Sequence, residues 1–334
     1  MIKHFVKVLD PIYQKCISIS AFIILLSILI NCSHSKPQKT LINFETAPDS
    51  LELLFPDAIS THLTQRDFAL SPDRNEIIYT LGNQKESRRM LVSLKKENGK
   101  WGDKTMLPFC GTYQDIEPFF SPDGKLLFFA SNRPIYDDST RTDYNIWVSK
   151  KENNTWQKPV ALDSTINTKG KEYYPSVTNS GNLYFTATRP EGFGLEDIYR
   201  SEYKNGQYQN PKVLDSTINS KSYEFNAYVN PEETLIFYSS YGRPDGHGGG
   251  DLYYSTKDAN DIWQPAKNFG APINSNKLDF CPYYDSKTHI LYFSSLRTNY
   301  PETFSSVDEF IAFAEQPTNG LSSIYRVSIK NIIE

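Results

Sequence analysis

Four carboxylates recur at one spacing along the chain: Asp115, Glu172, Glu224 and Asp279 each stand six residues before a turn that opens Ser121, Thr178, Asn230 and Asp285, and Gln65 takes the same place before Ser71. Carboxylates gathered around one opening can hold a divalent cation, which takes several oxygen ligands. Two of them facing each other across a sugar can serve as acid and base for glycoside cleavage. A third reading is structural: an acid copied repeat by repeat makes the same local hydrogen bonds in each copy, and repetition favours this one. Arg133, Arg189, Arg243 and Arg297 recur too, with Asn145, Asp197 and Asp251 shortly after them. An arginine and an acid facing across a hairpin loop would form a charge-assisted pair that fixes the loop. The first copy departs, with Asn83 and Arg89 in these places.

Other chemistry finds little support. The five histidines, at 4, 34, 62, 247 and 289, show no metal-ligand spacing, and neither Gly-x-Ser-x-Gly nor His-Glu-x-x-His occurs. Gly246-His247-Gly248-Gly249-Gly250 does not open a helix after a strand, so it reads as a flexible hairpin rather than a phosphate loop. No cofactor is expected, apart from the cation that the acids would admit. Net charge is −4 with no block of Lys or Arg, which leaves no electrostatic footprint for nucleic acid.

The elements that carry these residues are short strands. Ser121-Pro122-Asp123-Gly124 is a turn between aromatic and β-branched runs, with Pro presetting φ and Gly accepting a positive one. Drifted copies follow Ser71, Thr178, Asn230 and Asp285, each leading into a run such as Ile77-Ile78-Tyr79 or Leu235-Ile236-Phe237-Tyr238. A third run returns as Met90-Leu91-Val92, Ile146-Trp147-Val148, Ile198-Tyr199, Leu252-Tyr253 and Ile324-Tyr325. Repeats of about 50–57 residues with four short strands each are the mark of propeller blades. The distance from the outer strand to the next turn is fixed at 12 residues, from Phe109, Ile166, Ile218 and Ile273, and again from Ile59. No blade precedes Ile59, and the last blade has no outer strand after Ser328. Residues about 51–60 therefore supply it, closing a ring of five blades rather than six and leaving no open sheet edge. The expected fold is an all-β, five-bladed β-propeller over 51–334. The last blade carries an insertion whose Ser306 and Glu309 fit a capping box, with Val307, Phe310, Ile311 and Ala314 on one helical face. This short helix is expected on the loop-rich face, on the side of the acidic residues, as a lid or a partner-binding element.

With these repeats in view, the chain resembles the WD40-like propeller repeat family that includes the TolB-type propellers of the bacterial envelope. The resemblance rests on Ser-Pro-Asp-Gly at 121–124 and on Arg189-Pro190…Gly192…Gly194…Asp197-Ile198-Tyr199 and Arg243-Pro244…Gly246…Gly248…Asp251-Leu252-Tyr253. It implies a binding platform more than an enzyme, although some five-bladed propellers are glycosidases. The N-terminus points to the same compartment. Lys3, Lys7 and Lys15 precede an apolar run, Ile17 to Ile30, of signal-peptide length, which ends at Leu29-Ile30-Asn31-Cys32. This resembles a bacterial lipobox with Cys32 as the lipidated residue, although Asn31 departs from the small residue usual there. Residues 1–31 are read as a signal peptide and 32–50 as a tether. Cys110 and Cys281 could form one disulfide in an oxidising compartment, but two separate thiols in apolar surroundings is the simpler expectation. The expected product is an exported lipoprotein, held to a membrane of the envelope, whose loop-rich face meets an envelope protein or a glycan. That face would comprise the loops at 134–144, 190–196, 244–250 and 298–323, with Phe310 in the last.

Overall fold

In the computed structural model, residues 42–333 are described, apart from 57, 136, 137 and 139. The proposed signal segment and Cys32 lie outside them. Five sheets stand around one axis, each beginning with an inner strand: Thr64–Leu70, Asp115–Phe120, Glu172–Val177, Tyr223–Val229 and Asp279–Asp285. The second and third strands follow by antiparallel hairpins, as in blade 2, where Leu126–Ser131 and Asn145–Glu152 pair without a register shift. Thr105–Met106, Val160–Ala161, Lys212–Val213 and Lys267–Asn268 are the rim strands of blades 1 to 4. The rim of blade 5 comes from the other end of the chain: Glu52 pairs with Arg326 and Leu53 with Tyr325. Leu54 N–H extends this ladder to Ile324 O at 2.8 Å, and its side chain is fully buried. The ring thus has five blades and closes through its N-terminal strand.

The ring also begins earlier than the sequence suggests. Phe44, inside the expected tether, is buried against Phe55, Phe68 and Trp101. Its carbonyl accepts from Arg74 Nη2 at 2.6 Å, while Arg326 holds the carbonyl of Asn43. Arg74 belongs to the Ser-Pro-Asp turn of blade 1, so the described chain joins the ring on the face of those turns.

Packing between blades follows from the strand faces. The second strand of every blade places a fully buried aromatic at the same point: Tyr79, Phe129, Phe185, Tyr238 and Phe293. Three of these stack on the third strand, with Phe185–Tyr199, Tyr238–Tyr253 and Phe293–Tyr325 centroids 5.9, 5.9 and 6.1 Å apart. A wedge after the third strand, Trp101, Trp156 or Trp263, packs into a cluster shared with the preceding blade. Trp156 is held there by Glu76 of blade 1, which accepts from Nε1 at 3.1 Å. Blade 3 carries Tyr208 instead, and an apolar groove of about 560 Å3 remains between blades 2 and 3, bordered by Leu126, Phe128, Val148, Leu162, Tyr203 and Tyr208.

Every inner strand slips register at one place, four residues before its turn. The residues there are Asp67, Glu117, Tyr174, Asn226 and Cys281, all with φ between 47° and 60°. A bulge with a non-glycine residue in the left-handed region re-aims a side chain and bends its strand. Pro118, Pro175 and Pro282 follow three of the five, which fits, because proline within a sheet is confined to edges and bulges.

Candidate functional site

The recurring acids are buried inside their own blades. Asp279 is fully buried and accepts from Ser275 N and Oγ at 2.6 and 2.7 Å, from Ser295 Oγ at 2.5 Å and from Arg297 Nη2 at 2.7 Å. Glu224 takes Ser220, Ser240 and Arg243 in the same way, and Glu172 takes Thr168 and, at 3.5 Å, Arg189. Burial raises the proton affinity of Glu172, against these hydrogen bonds and Arg189. Asp115 pairs with Arg133, but Gly111 stands where the others have a hydroxyl residue, and Asp115 Oδ2 receives no bond among the described residues. Gln65 keeps the motif without charge, accepting from Thr61 N and donating to Thr61 Oγ1. Glu172, Glu224 and Asp279 thus staple the turn that brings the chain in from the preceding rim, as Gln65 does, while Asp115 is tied to Arg133.

The arginines do not pair with the acids across the hairpin loop. They reach the inner-strand carboxylates instead, and their guanidinium planes lie over aromatic rings of the second and third strands. Arg297, for example, is 5.2 Å from the centroid of Phe293 and 5.0 Å from that of Tyr325. Arg189 and Arg297 also bond the carbonyls of Ile166 and Ile273. The residues expected to face them act locally: Asp197 accepts from the backbone of Phe193 and Gly194, Asp251 from His247 N and Asn268, and Asn145 bonds Asp143 and Arg141. The glycine loop of blade 4 is packed rather than free. A Cβ on Gly248 would overlap the carbonyl of Lys277 in the approach to blade 5, and Gly249 N–H bonds that carbonyl at 3.0 Å.

The insertion forms a helix, Val307–Ala314, capped by Ser306. Its buried residue is Phe313, which packs on Tyr300 and Phe304, whereas Val307, Phe310 and Ile311 are exposed. The apolar face read from the sequence is thus turned outward.

The five bulged residues meet at the axis. Arg66, one residue before the first bulge, donates Nε to both oxygens of Asp67, at 2.9 and 3.0 Å, and Nη2 to Glu117 Oε1 at 3.2 Å. Nη2 also lies 3.5 Å from Cys281 Sγ. Asn226 Nδ2 donates to the same oxygen of Glu117 at 3.3 Å, while Glu117 Oε2 accepts from Tyr174 N–H at 2.8 Å. A preceding blade supplies a hydroxyl for other bulge N–H groups: Ser294 for Asp67, Thr80 for Glu117 and Thr186 for Asn226. Blade 2 has Ala130 at that place, so Tyr174 N–H takes the Glu117 carboxylate instead. Tyr174 Oη reaches the carbonyl of Pro282 at 2.9 Å. The channel is therefore floored by Tyr174 and this network. The two cysteines among the described residues are free thiols: Cys281 is in the floor, and Cys110 is half-buried beyond the rim strand of blade 1.

Above the floor, opposite the Ser-Pro-Asp turns, a funnel of about 270 Å3 opens to solvent. Its wall comes from the residues just before the bulges, Arg66, Ile116, Tyr173, Phe225 and Phe280, joined by Arg89 and Glu196. Arg66 lies 4.8 Å from the centroid of Phe280. Arg89 is held by Gln114, Glu86 and Tyr144, and the Tyr144 and Tyr173 rings are 5.2 Å apart. The Glu117 carboxyl is raised to about 7, by burial first and by Asp67 next, against Arg66. Glu196 is also raised, by burial, with Lys171 acting in the other direction. Among the described residues no group of three or more His, Cys, Asp or Glu side chains is placed to hold a metal ion.

Sequence reasoning passed over this site because it weighed the repeated residues. The signal was available in the aligned copies: at the bulge position Asp, Glu, Tyr, Asn and Cys replace one another on an identical backbone.

The architecture is that of a five-bladed β-propeller, and the solved structures that resemble it include TolB-type propellers. No family model matches the chain, and no curated protein matches it in sequence. TolB from Acinetobacter baumannii is 16% identical, with a TM-score of 0.44, over 68% of this chain; the chain spans 48% of that protein. The RGII complex of BT0996 aligns with a TM-score of 0.53 at 10% identity, covering 85% of this protein and 92% of that one. The α-L-arabinofuranosidase PaAbf62A from Podospora anserina is 12% identical, with a TM-score of 0.43, over 84% and 93% of the two proteins. At these identities the likeness is one of fold.

Proposed function

We propose that this chain is a non-catalytic binding protein of the WD40-like, TolB-like kind, exported and lipid-anchored in the bacterial envelope, which recognises a protein or glycan through its funnel face. The observation that carries this reading is the fate of the recurring acids. Asp115, Glu172, Glu224 and Asp279 are each committed to an arginine in the same blade, whereas acid and base for glycoside cleavage must face one substrate. The polar residues that differ between blades gather instead at the axis, below loops able to contact a macromolecule. Cys32 would carry the lipid. No described helix is long and apolar enough to cross a membrane.

Capture of partners from membranes tests the surface. Deleting 298–323 or replacing exposed Phe310 with Asp should reduce the captured set, and an unchanged set with both variants would count against this face. Cys32→Ala should move the protein from the membrane to the soluble fraction, and retention on the membrane would remove the lipid from the account. Glycoside cleavage is tested by replacing the four acids singly: loss of turnover with unchanged stability would favour the enzyme.

A further inference from the structure

We propose that the axial funnel is a receptor for one basic side chain, a lysine presented by a protein partner. The inference rests on the binding reading above and names the chemistry of its contact. The funnel's volume of about 270 Å3 lies below the range usual for sites of drug-sized ligands, which suits a single side chain entering from above. Its charges are unevenly matched. Arg66 is shared by Asp67 and Glu117, and Arg89 is paired with Glu86. Glu196 lines the same funnel half-buried, and among the described residues its carboxylate has no cation or hydrogen-bond donor at contact distance. Lys171 acts on it only through longer-range attraction. The charge a ligand must bring is therefore positive.

The wall beside Glu196 is aromatic. Tyr173 lies near both Glu196 and Glu117, and Phe225 lines the same side. Such a wall takes the methylenes of a lysine and adds cation–π attraction at its end, while the ammonium meets the carboxylate. A lysine ammonium needs a single free oxygen, whereas an arginine fork would have to take both oxygens of Glu196, since those of Glu117 are occupied by Arg66, Asn226 and Tyr174 N–H. The left-handed bulges beneath hold this floor in a strained backbone conformation, the kind of strain that clusters at binding sites.

The test titrates the full chain with Nα-acetyl-lysine methylamide, the norleucine and arginine analogues, and glucosamine, followed by NMR or calorimetry. The lysine probe should bind with a Kd on the order of 1 mM. The norleucine analogue should bind at least tenfold more weakly, and Glu196→Gln should abolish that difference. Because the Glu196 carboxylate makes no bond among the described residues, this variant should melt as the parent does. Equal binding of lysine and norleucine, unchanged discrimination in Glu196→Gln, preference for arginine or glucosamine, or no saturation at about ten times the expected Kd would each overturn the inference. Failure here, with partner capture still lost on deleting 298–323, would leave the binding reading standing; failure here together with unchanged capture in that deletion would sink both.

Discussion

Replacing Asp279 with Asn separates a blade staple from a catalytic acid. The side chain is fully buried and accepts four hydrogen bonds, two of them from Ser275, one from Ser295 and one from Arg297. An amide has one acceptor oxygen, so a donor would be turned against donors, and Arg297, about one-sixth exposed, would lose its counterion. Breaking a buried pair from one side costs about 3–5 kcal/mol. For a domain of this size each kcal/mol lowers Tm by about 2–4 °C, so a fall on the order of 10 °C is expected. Asp115→Asn should cost clearly less, because Gly111 offers Asp115 no hydroxyl and one of its oxygens is unbonded among the described residues. Thermal unfolding followed by circular dichroism ranks the two. In the double variant Asp279→Asn, Arg297→Met the loss should fall short of the sum of the single losses, since the stranded charge has gone. An unchanged Tm for Asp279→Asn, or equal losses at 279 and 115, would refute the staple.

Leu54→Pro should lower stability by more than about 3 kcal/mol in denaturant titration, because it removes the Leu54 N–H bond to Ile324 and empties a fully buried site in the closing segment. Trp156→Ala should cost about 3–5 kcal/mol, whereas Tyr208→Trp, which enlarges the small wedge beside the groove between blades 2 and 3, should stabilise by about 0.5–2 kcal/mol in the same assay. For Glu117 the folded carboxyl, at about 7, holds its proton more tightly than the unfolded chain, so its contribution is complete below about pH 4.5 and lost as pH rises through 7. Stability should decline across that window by up to about 1.4 kcal/mol per pH unit relative to Glu117→Gln, and a parallel profile in the variant would contradict the shift.

The five blades and their closure were legible because each is enforced by many residues at once. The 12-residue spacing from Ile59 exposed the outer strand that no blade precedes, and the pairing of Leu53 with Tyr325 is its physical form. The beginning of the ring was less legible. Phe44 stands among polar residues with no strand pattern, and its burial depends on Phe55, Phe68 and Trp101, which are distant in sequence. The helix of blade 5 was readable from Ser306 and Glu309, but its orientation was not. Phe313 is inward because Tyr300 and Phe304 arch over it, a contact that helical period alone does not encode. The arginine partners were missed for a similar reason: pairing Arg243 with Asp251 needed only proximity in sequence, while its true partner, Glu224, stands across the sheet on the inner strand.

The repeat itself indicates where function can reside. A residue type kept in every blade answers to something every blade has, a turn to staple or a neighbour to pack against. The acids and arginines, kept in four of the five blades with Gln65 and Asn83 in the first, are nearly of this sort. At the bulges the reasoning reverses: the backbone is kept five times, at the expense of left-handed φ, while the side chain changes every time. Five equal side chains on a fivefold axis could make only a symmetric contact. Asp67, Glu117, Tyr174, Asn226 and Cys281 instead build an asymmetric floor, in which the hydroxyl missing at Ala130 binds Glu117 to Tyr174 and thereby fixes the funnel above it. Ala130→Ser, which returns a hydroxyl to blade 2, should compete for Tyr174 N–H and loosen Glu117. The change would be read as a shift in the Glu117 titration with little change in Tm, and an unmoved titration would show that the floor does not depend on that substitution.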